Sequence, residues 1–153
     1  MLLSQTTEYA LRAVLFIAAR HPSTVRASEL ADSLELPRNY LGKTLGALAR
    51  AGLLVSTRGP SGGFRLRRPP SAITLSEVTQ AFAPPAPRRC LLGLGACGQN
   101  PDCPVHQRWL PSAHLIDRFF DSTTIADLVA SPVQDSPTGA ADAPVDHPLL
   151  HVS

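Results

Sequence analysis

A glycine-rich turn between two short strand-like segments limits the fold of this chain more than any other feature of its sequence. Residues 53–57 are typical of a short β-strand, and Phe64-Arg65-Leu66 alternates apolar and charged side chains as a returning strand does. The six residues between them, 58–63, include three glycines and one proline, which is the composition of a tight turn. The sequence therefore predicts a two-stranded hairpin in the middle of the chain.

Three helical segments are predicted before this hairpin. The first covers residues 5–20 and ends at His21-Pro22, because the residue before a proline is disfavoured in a helix. The second begins near Ser28, a candidate N-cap, and residues 34–37 form the turn that follows it. On the first helix, the apolar residues that share one face are Leu11, Val14, Leu15 and Ala18.

The third helix has Pro37 in its first turn and is expected to end at Gly52 with a left-handed cap. Two short helices joined by a turn and followed by a hairpin with a glycine-rich tip predict a winged helix-turn-helix, with the hairpin as the wing. In that fold the start of the third helix normally enters the major groove of DNA. The apolar face of the third helix is formed by Leu41, Leu45, Leu48 and Ala49.

The distribution of charge supports double-stranded DNA as the partner of this region. Residues 1–90 hold 12 Lys/Arg and 5 Asp/Glu, a balance of +7, whereas residues 91–153 hold 2 and 7, a balance of −5. Thirteen of the 14 basic residues are arginines, which suit bidentate contacts to phosphate, although a biased genomic base composition explains that equally well. The residues expected to contact DNA are Ser28, Arg38, Asn39, Tyr40, Lys43, Thr44, Arg58, Gly59, Ser61, Gly62 and Arg65, with Arg67 and Arg68 flanking phosphates.

Further helices are predicted after the hairpin. Thr74-Leu75-Ser76-Glu77 has the form of a capping box and opens a fourth helix. A helix over residues 106–120 is expected to be broken or bent near Pro111, and a short last helix covers residues 124–129.

All three cysteines lie in one glycine-containing loop that is followed by a histidine. Cys90, Cys97, Cys103 and His106 have the spacing C-x6-C-x5-C-x2-H, and thiolates with an imidazole suit both zinc and iron–sulfur clusters. The spacing is looser than the paired C-x2-C motifs of a zinc ribbon, which favours an iron–sulfur cluster slightly over structural zinc. Reduced cysteines that hold no ligand are a third interpretation.

Several classes of protein do not fit the sequence. Glu8 and Arg12 interrupt the N-terminal apolar stretch, so we expect neither a signal peptide nor a membrane span. We therefore expect the protein to be cytoplasmic. We recognise no phosphate-binding loop, dinucleotide fingerprint or nucleophile–base pair, so we expect neither an enzyme nor a small-molecule substrate.

Taken together, these segments resemble the IscR/NsrR family of bacterial winged-helix transcription regulators that sense through an iron–sulfur cluster. The resemblance covers about residues 1–130 in the same order, and the combination of wing and cysteine loop is highly specific. The matching stretches are TTEYALRA at 6–13, RNYL at 38–41, AGLL at 51–54, RGPSGGFRL at 58–66, ITLSEV at 73–78 and TIADL at 124–128, with the three cysteines between the last two.

The resemblance implies a homodimer that binds two half-sites, with helix 106–120 as the dimerisation helix and Arg58 in the minor groove. It also implies that the three cysteines ligate the cluster, with two choices for the fourth ligand. In IscR-like members the histidine at the position of His106 completes a 2Fe–2S cluster, whereas in NsrR-like members an acidic residue at the position of Glu8 of the partner subunit completes a 4Fe–4S cluster. We favour His106 and 2Fe–2S, since nitrogen ligation of such clusters is well precedented.

The predicted fold is mainly α: a winged helix-turn-helix with a two-stranded wing and a long C-terminal dimerisation helix. We predict a DNA-binding transcription regulator whose operator affinity is controlled by an iron–sulfur cluster that senses nitric oxide, redox state or iron–sulfur status. The alternative keeps DNA binding and gives the loop a structural zinc ion or a thiol switch. The predicted segments are a DNA-binding domain at 1–82, a cluster-binding loop at 83–106, the dimerisation helix and last helix at 107–130, and a disordered tail at 131–153.

Overall fold

The computed structural model of the protein describes residues 3–60, 62–82, 90–93, 95–97 and 103–130. The mainly helical fold with a two-stranded antiparallel sheet is confirmed. A single 3-10 turn, Pro70–Ala72, precedes the fourth helix. The elements are α1 Gln5–Ala18, α2 Ala27–Leu34, α3 Arg38–Arg50, β1 Leu54–Thr57, β2 Gly63–Leu66, α4 Leu75–Gln80, α5 His106–Ser122 and α6 Ile125–Ala130.

The core is built around the contact between α1 and α3. The predicted apolar face of α3 is confirmed, since Leu41, Leu45 and Leu48 are buried. The buried face of α1 differs from the prediction, because Leu11 and Leu15 are only partly buried and pack against the edge of the core. The α1 residues that are buried are Thr7, Ala10, Ala13, Val14, Ile17 and Ala18.

Three helix boundaries differ from the prediction. Helix α1 ends at Ala18, two residues early, and the N–H groups of the next residues bond three positions back, as in a tightening last turn. Ser28 is not the N-cap of α2: the cap is Arg26, which has no side-chain cap bond, and Ser28 lies exposed in the first turn. Pro37 is likewise the N-cap of α3 and precedes its first turn.

The end of α3 is as predicted. Gly52 has φ 77°, and its N–H donates to the Ala49 carbonyl at 3.1 Å. The N–H of Leu53 donates to the Leu48 carbonyl at 3.0 Å. This pair of backbone hydrogen bonds ends many helices. Glycine is suited to this position because it adopts positive φ without a steric penalty.

The hairpin packs onto the loop that precedes α2. Strands β1 and β2 pair antiparallel from Leu54 with Leu66 to Thr57 with Gly63. Val25 forms an isolated bridge to Phe64 through two backbone hydrogen bonds of 2.9 and 2.8 Å. The hairpin is therefore held by backbone bonds on both sides of β2.

Thr74 and Thr124, the threonines that cap the starts of α4 and α6, join the last helix to the part of the chain that follows the hairpin. The predicted capping box of α4 is present, with the Thr74 hydroxyl accepting from the Glu77 N–H and the Glu77 carboxylate accepting from the Thr74 N–H. Thr124 and Asp127 make the same reciprocal bonds at the start of α6. The two caps lie side by side, because Thr74 and Thr124 form an isolated bridge.

Helix α5 runs without a break from His106 to Ser122, so the predicted break at Pro111 is wrong. Pro111 is exposed, and its ring lies on the side of α5 that faces away from the core. A proline inside a helix removes one intrahelical N–H bond, and packing on the opposite face can offset that cost. Ala113 provides such packing, since it is fully buried, and α5 contacts α4.

The capping box of α4 gives a testable pH dependence. Partial burial raises the pKa of Glu77, but the Thr74 N–H and the Arg68 guanidinium outweigh it, and the net pKa is lowered from 4.5. A carboxyl group whose pKa is lowered by folding stabilises the fold at pH values above its pKa in the unfolded chain. This stabilisation is lost as the pH falls through the pKa of the folded protein. Glu77→Gln keeps a side chain that can close the box. We expect it to lower the free energy of unfolding most above pH 4.5, with the difference from wild type shrinking at lower pH.

Urea unfolding of both proteins across a pH series measures this difference. Asp32→Asn is the matched control, because its carboxylate is 67% exposed and pairs with the exposed Arg38. A Glu77→Gln difference that does not change with pH would show that the charge of Glu77 does not stabilise the box.

Candidate DNA interface and cysteine site

The start of α3 presents three polar side chains to solvent. Arg38, Asn39 and Lys43 are exposed, as the prediction of a DNA-contacting helix requires. Arg38 Nη2 lies 3.1 Å from Asp32 Oδ1, and this ion pair is open to water on both sides. An exposed pair of this kind contributes little to stability, so Arg38 can exchange its partner for a phosphate at small cost.

Of the two other candidate contacts on α3, Tyr40 is partly exposed and Thr44 is buried. The Tyr40 hydroxyl is hydrogen-bonded to the Thr6 hydroxyl, and its ring packs edge-on against Tyr9 at a centroid distance of 5.5 Å. Thr44 is buried, and its hydroxyl donates to the Tyr40 carbonyl at 3.1 Å. Tyr40 therefore orients α3 against α1, whereas the Thr44 hydroxyl bonds within α3 and the residue is only 2% exposed.

The wing carries exposed arginines on a backbone that needs glycine. Arg58, Gly59 and Arg65 are exposed, and Ser61 lies outside the described residues. A Cβ atom at Gly62 would lie 2.4 Å from the Thr57 carbonyl oxygen, and one at Gly63 would lie 2.3 Å from the Val25 carbonyl oxygen. The two glycines therefore permit the close backbone approach that positions Arg58 at the turn.

The two remaining arginines after the wing differ in their surroundings. Arg67 is exposed, but Arg68 donates to the Ala72 carbonyl at 2.8 Å and pairs with Glu77 at 2.5 Å. Arg68 therefore contributes to the α4 cap in this structure.

Arg26 is a member of this surface that the sequence did not single out. Its Nη2 donates to the Pro60 carbonyl at 3.2 Å and so links the start of α2 to the tip of the wing. The sequence signal that could have identified Arg26 is a basic residue in the turn before α2, two positions ahead of the exposed Ser28. The surface thus combines the start of α2, the start of α3 and the wing.

The structure brings the three cysteines and His106 together as two close pairs. Cys90 Sγ lies 3.6 Å from Cys103 Sγ, and Cys97 Sγ lies 3.3 Å from His106 Nδ1. Cys90 is buried, whereas the other three side chains are partly exposed. All three cysteines are in the reduced thiol form.

The backbone holds each pair in place. The Cys90 N–H donates to the Gly95 carbonyl at 2.8 Å, and the Gly93 N–H donates to the Cys90 carbonyl at 2.9 Å. Gly93 and Gly95 both have positive φ, at 74° and 88°, so the loop curls tightly around Cys90. The His106 N–H donates to the Cys103 carbonyl at 3.2 Å, which places this histidine at the first residue of α5.

The pairing bears on which metal centre the residues fit. Two ligands of one tetrahedral metal, with sulfur at about 2.3 Å and nitrogen at about 2.0–2.1 Å, lie roughly 3.5–3.8 Å apart. Each pair has about this spacing. Among the residues that the structure describes, no three histidine, cysteine or carboxylate side chains lie close enough to hold one metal ion. The described structure therefore offers a metal centre two separate pairs of ligands, each with the spacing of two ligands of one metal atom.

Glu8, the alternative fourth ligand, and Trp109, which follows His106 on α5, have different surroundings. Glu8 is exposed in the first turn of α1, where the helix dipole favours a carboxylate. Trp109 lines a cavity of about 410 Å³ between α4 and α5, and its indole N–H is buried with no hydrogen-bond partner among the described residues. This placement agrees with a packing role for Trp109.

Helix α5 leaves large apolar side chains in solvent. Leu115 is 59% and Phe119 is 52% exposed, although both lie on a helix that packs against α4 through other residues. Within the described parts of the chain, none of the helices combines the length and the apolar character that crossing a bilayer requires.

Comparison with known proteins identifies the family. The family model described as "Iron-dependent Transcriptional regulator", Rrf2, matches residues 3–131. A protein of Aquifex aeolicus (strain VF5), named as an HTH-type transcriptional regulator, is 34% identical over 132 residues, which is 84% of this chain and 92% of that protein.

Two solved structures show the same fold. CymR (YrzC), the global cysteine regulator of B. subtilis, is similar with a TM-score of 0.73 and 25% identity over 85% of this chain and 97% of that one. IscR of T. potens is similar with a TM-score of 0.66 and 24% identity over 88% and 91% of the two chains. This chain belongs to the Rrf2 family of DNA-binding transcriptional regulators.

Proposed function

We propose that this chain is a homodimeric transcription regulator whose affinity for its operator is controlled by an iron–sulfur cluster at Cys90, Cys97, Cys103 and His106. The observation that carries the proposal is the arrangement of these side chains in two pairs, each spaced like two ligands of one metal atom. Two metal atoms with two protein ligands each match a 2Fe–2S cluster. A single structural zinc ion needs four ligands around one point.

The chemistry of the donor set fits the same group. Thiolates are soft ligands that suit iron–sulfur clusters, and imidazole replaces cysteine in some of them. A bound 2Fe–2S cluster would supply a centre that reacts with nitric oxide and with oxidants. With three thiolates and a neutral histidine, the oxidised site carries a charge of −1 in place of −2, which favours a higher reduction potential.

The protein connects this site to the DNA-contacting surface. His106 is both a member of the site and the first residue of α5. The far end of α5 is tied to α4 because the Leu75 N–H donates to the Thr123 carbonyl at 3.0 Å. Helix α6, which follows, packs against α1, the helix that supports α3. A change in the order of the cysteine loop thus has a continuous packed route to the DNA-contacting helix.

The dimer rests on the exposed apolar residues of α5. Leu115 and Phe119 lie four residues apart, on one side of the helix. A two-fold pairing of α5 helices would bury them and place two α3 helices and two wings on the same DNA duplex. Monomers seldom leave two such large side chains exposed close together without a partner.

A second candidate function keeps DNA binding and makes the loop a thiol switch. It is favoured by the contact between Cys90 and Cys103, and by the likeness to a global cysteine regulator. The structural-zinc form of this alternative has less support, because no three candidate ligands in the described residues lie close enough to share one ion.

The role of the wing can be tested with a matched pair of arginines. Arg58 is exposed at the turn of the wing, and Arg50 is exposed at the opposite end of α3 from the DNA-contacting residues. We expect Arg58→Ala to weaken binding to a duplex selected from a random pool by about 1–3 kcal/mol, and Arg50→Ala to leave it nearly unchanged. Fluorescence anisotropy at one fixed salt concentration measures both affinities. Equal affinities of Arg58→Ala and wild type would contradict the role of the wing.

The cluster can be tested by purification without oxygen. We expect a coloured protein that contains iron and acid-labile sulfide in equal amounts, about two of each per chain. His106→Ala should lose iron or change the visible spectrum, because one of the two metal atoms loses a protein ligand. His114→Ala, an exposed histidine on the same helix, is the control and should resemble wild type.

The other outcomes of this measurement are distinct. A colourless protein with one zinc per chain would contradict the cluster and favour a structural site. Four iron and four sulfide per chain would contradict the two-iron assignment and favour Glu8 of the partner subunit as the fourth ligand. A His106→Ala protein with an unchanged spectrum would contradict His106 as a ligand.

A further inference from the structure

The two close pairs of the cysteine site differ in kind, because one joins two thiols and the other joins a thiol to an imidazole. Cys103 Sγ contacts Cys90 Sγ at 3.6 Å, whereas Cys97 Sγ contacts an imidazole nitrogen at 3.3 Å. We propose that the chain without its cluster is an intramolecular redox switch, in which Cys90 and Cys103 form a disulfide and Cys97 stays a thiol. The inference rests on the proposed function only in that the same side chains serve both.

The two sulfur atoms lie close enough together that the disulfide needs only a small movement. A disulfide brings the sulfurs to about 2.05 Å, so the Sγ atoms of Cys90 and Cys103 have roughly 1.5 Å left to move. Cys90 is held by its bonds to Gly93 and Gly95, and Cys103 is held by the first turn of α5. Rotation of the two side chains can supply a movement of this size while both anchors stay in place.

The difference in exposure assigns the order of events. Cys103 is partly exposed, whereas Cys90 is only 8% exposed, so an oxidant in solution reaches Cys103 first. Hydrogen peroxide transfers one oxygen to the Cys103 sulfur, which gives a sulfenic acid and one water. The Cys90 thiol then attacks that sulfur, the S–S bond forms, the S–O bond breaks, and the hydroxyl leaves as water with the thiol proton. The two thiols lose two electrons, and the peroxide receives them.

The disulfide has a direct consequence for the site. It uses one thiol pair completely, so the oxidised chain has only Cys97 and His106 left to bind a metal. It should therefore take up no iron–sulfur cluster until a dithiol reduces it. The two ways of losing the cluster are then reversed differently. A chain that has only lost its cluster is reloaded by iron and sulfide, whereas an oxidised chain must also be reduced before it is reloaded.

The experiment uses the full chain, with its iron first counted and then removed by a chelator under reducing conditions without oxygen. The reduced chain should accept three alkylating groups, one for each cysteine. After treatment with hydrogen peroxide it should accept one, and the intact mass should fall by about 2 Da, the mass of two hydrogens. The oxidised chain should then bind no iron in reconstitution, and a dithiol should restore binding.

The pairing is assigned with single variants, because no lysine or arginine lies between Cys90 and Arg108 and trypsin leaves all three cysteines in one peptide. Cys97→Ser should lose 2 Da as the wild type does. Cys90→Ser and Cys103→Ser should not. Circular dichroism of each variant before oxidation shows that it is folded.

Three results would overturn the inference. The first is a Cys97→Ser protein that does not form the disulfide, and the second is alkylation of the oxidised wild type at Cys90 or Cys103. The third is a disulfide between two chains, seen on a non-reducing gel. These results differ from failure of the proposed function, which is decided by the iron count before the chelator is added. A chain that never holds iron but forms the Cys90–Cys103 bond would contradict the cluster and support the switch.

Discussion

Burial of one face of α3 against α1 is the contact on which the position of the DNA-contacting surface depends. Leu41, Leu45 and Leu48 occupy that face and are at most 1% exposed. Burial of each such side chain stabilises the fold by about 1.5–3 kcal/mol relative to exposure. Because a helix repeats every 3.6 residues, fixing these three leucines also fixes the opposite face. Asn39 and Lys43 lie on that opposite face and are held in solvent for that reason, whereas Arg38 is exposed as the first residue of α3.

Helix α5 connects the cysteine site to the rest of the molecule. Helix α5 has 17 residues and is therefore about 25 Å long. Its first residue, His106, belongs to the site, and its last turn leads into the bridge between Thr74 and Thr124. Both ends are thus attached to rigid parts of the fold, and the helix can transmit a change at one end to the other.

The features that were predicted correctly are those that depend on a few neighbouring residues. The capping box at Thr74 and the left-handed glycine at Gly52 follow from local bonding, and both are present. The hairpin was predicted for the same reason. The features that were wrong or missed depend on distant partners. Arg68 is drawn to Glu77, and Thr44 is buried under α1, although in the sequence both have the character of solvent-exposed DNA contacts.

The face of α1 shows a second limit. The pattern drew attention to Leu11 and Leu15, but the fully buried positions of α1 include small residues such as Ala10 and Ala13, which the spacing of large apolar residues does not reveal. For the cysteine site, the spacing predicted which side chains meet but not how they pair. The pairing depends on the path that the loop takes through its glycines of positive φ, and sequence spacing does not contain that path.

The most direct test of the account is the affinity of the protein for a selected DNA duplex with and without its cluster, in one anaerobic preparation at one salt concentration. We expect the two dissociation constants to differ by at least about fivefold, because coupling between two sites is typically worth 1–3 kcal/mol. The Cys97→Ser protein, which lacks one ligand, should show a single affinity equal to that of the cluster-free wild type. Equal affinities of the loaded and cluster-free wild type would contradict control of DNA binding by the cysteine site.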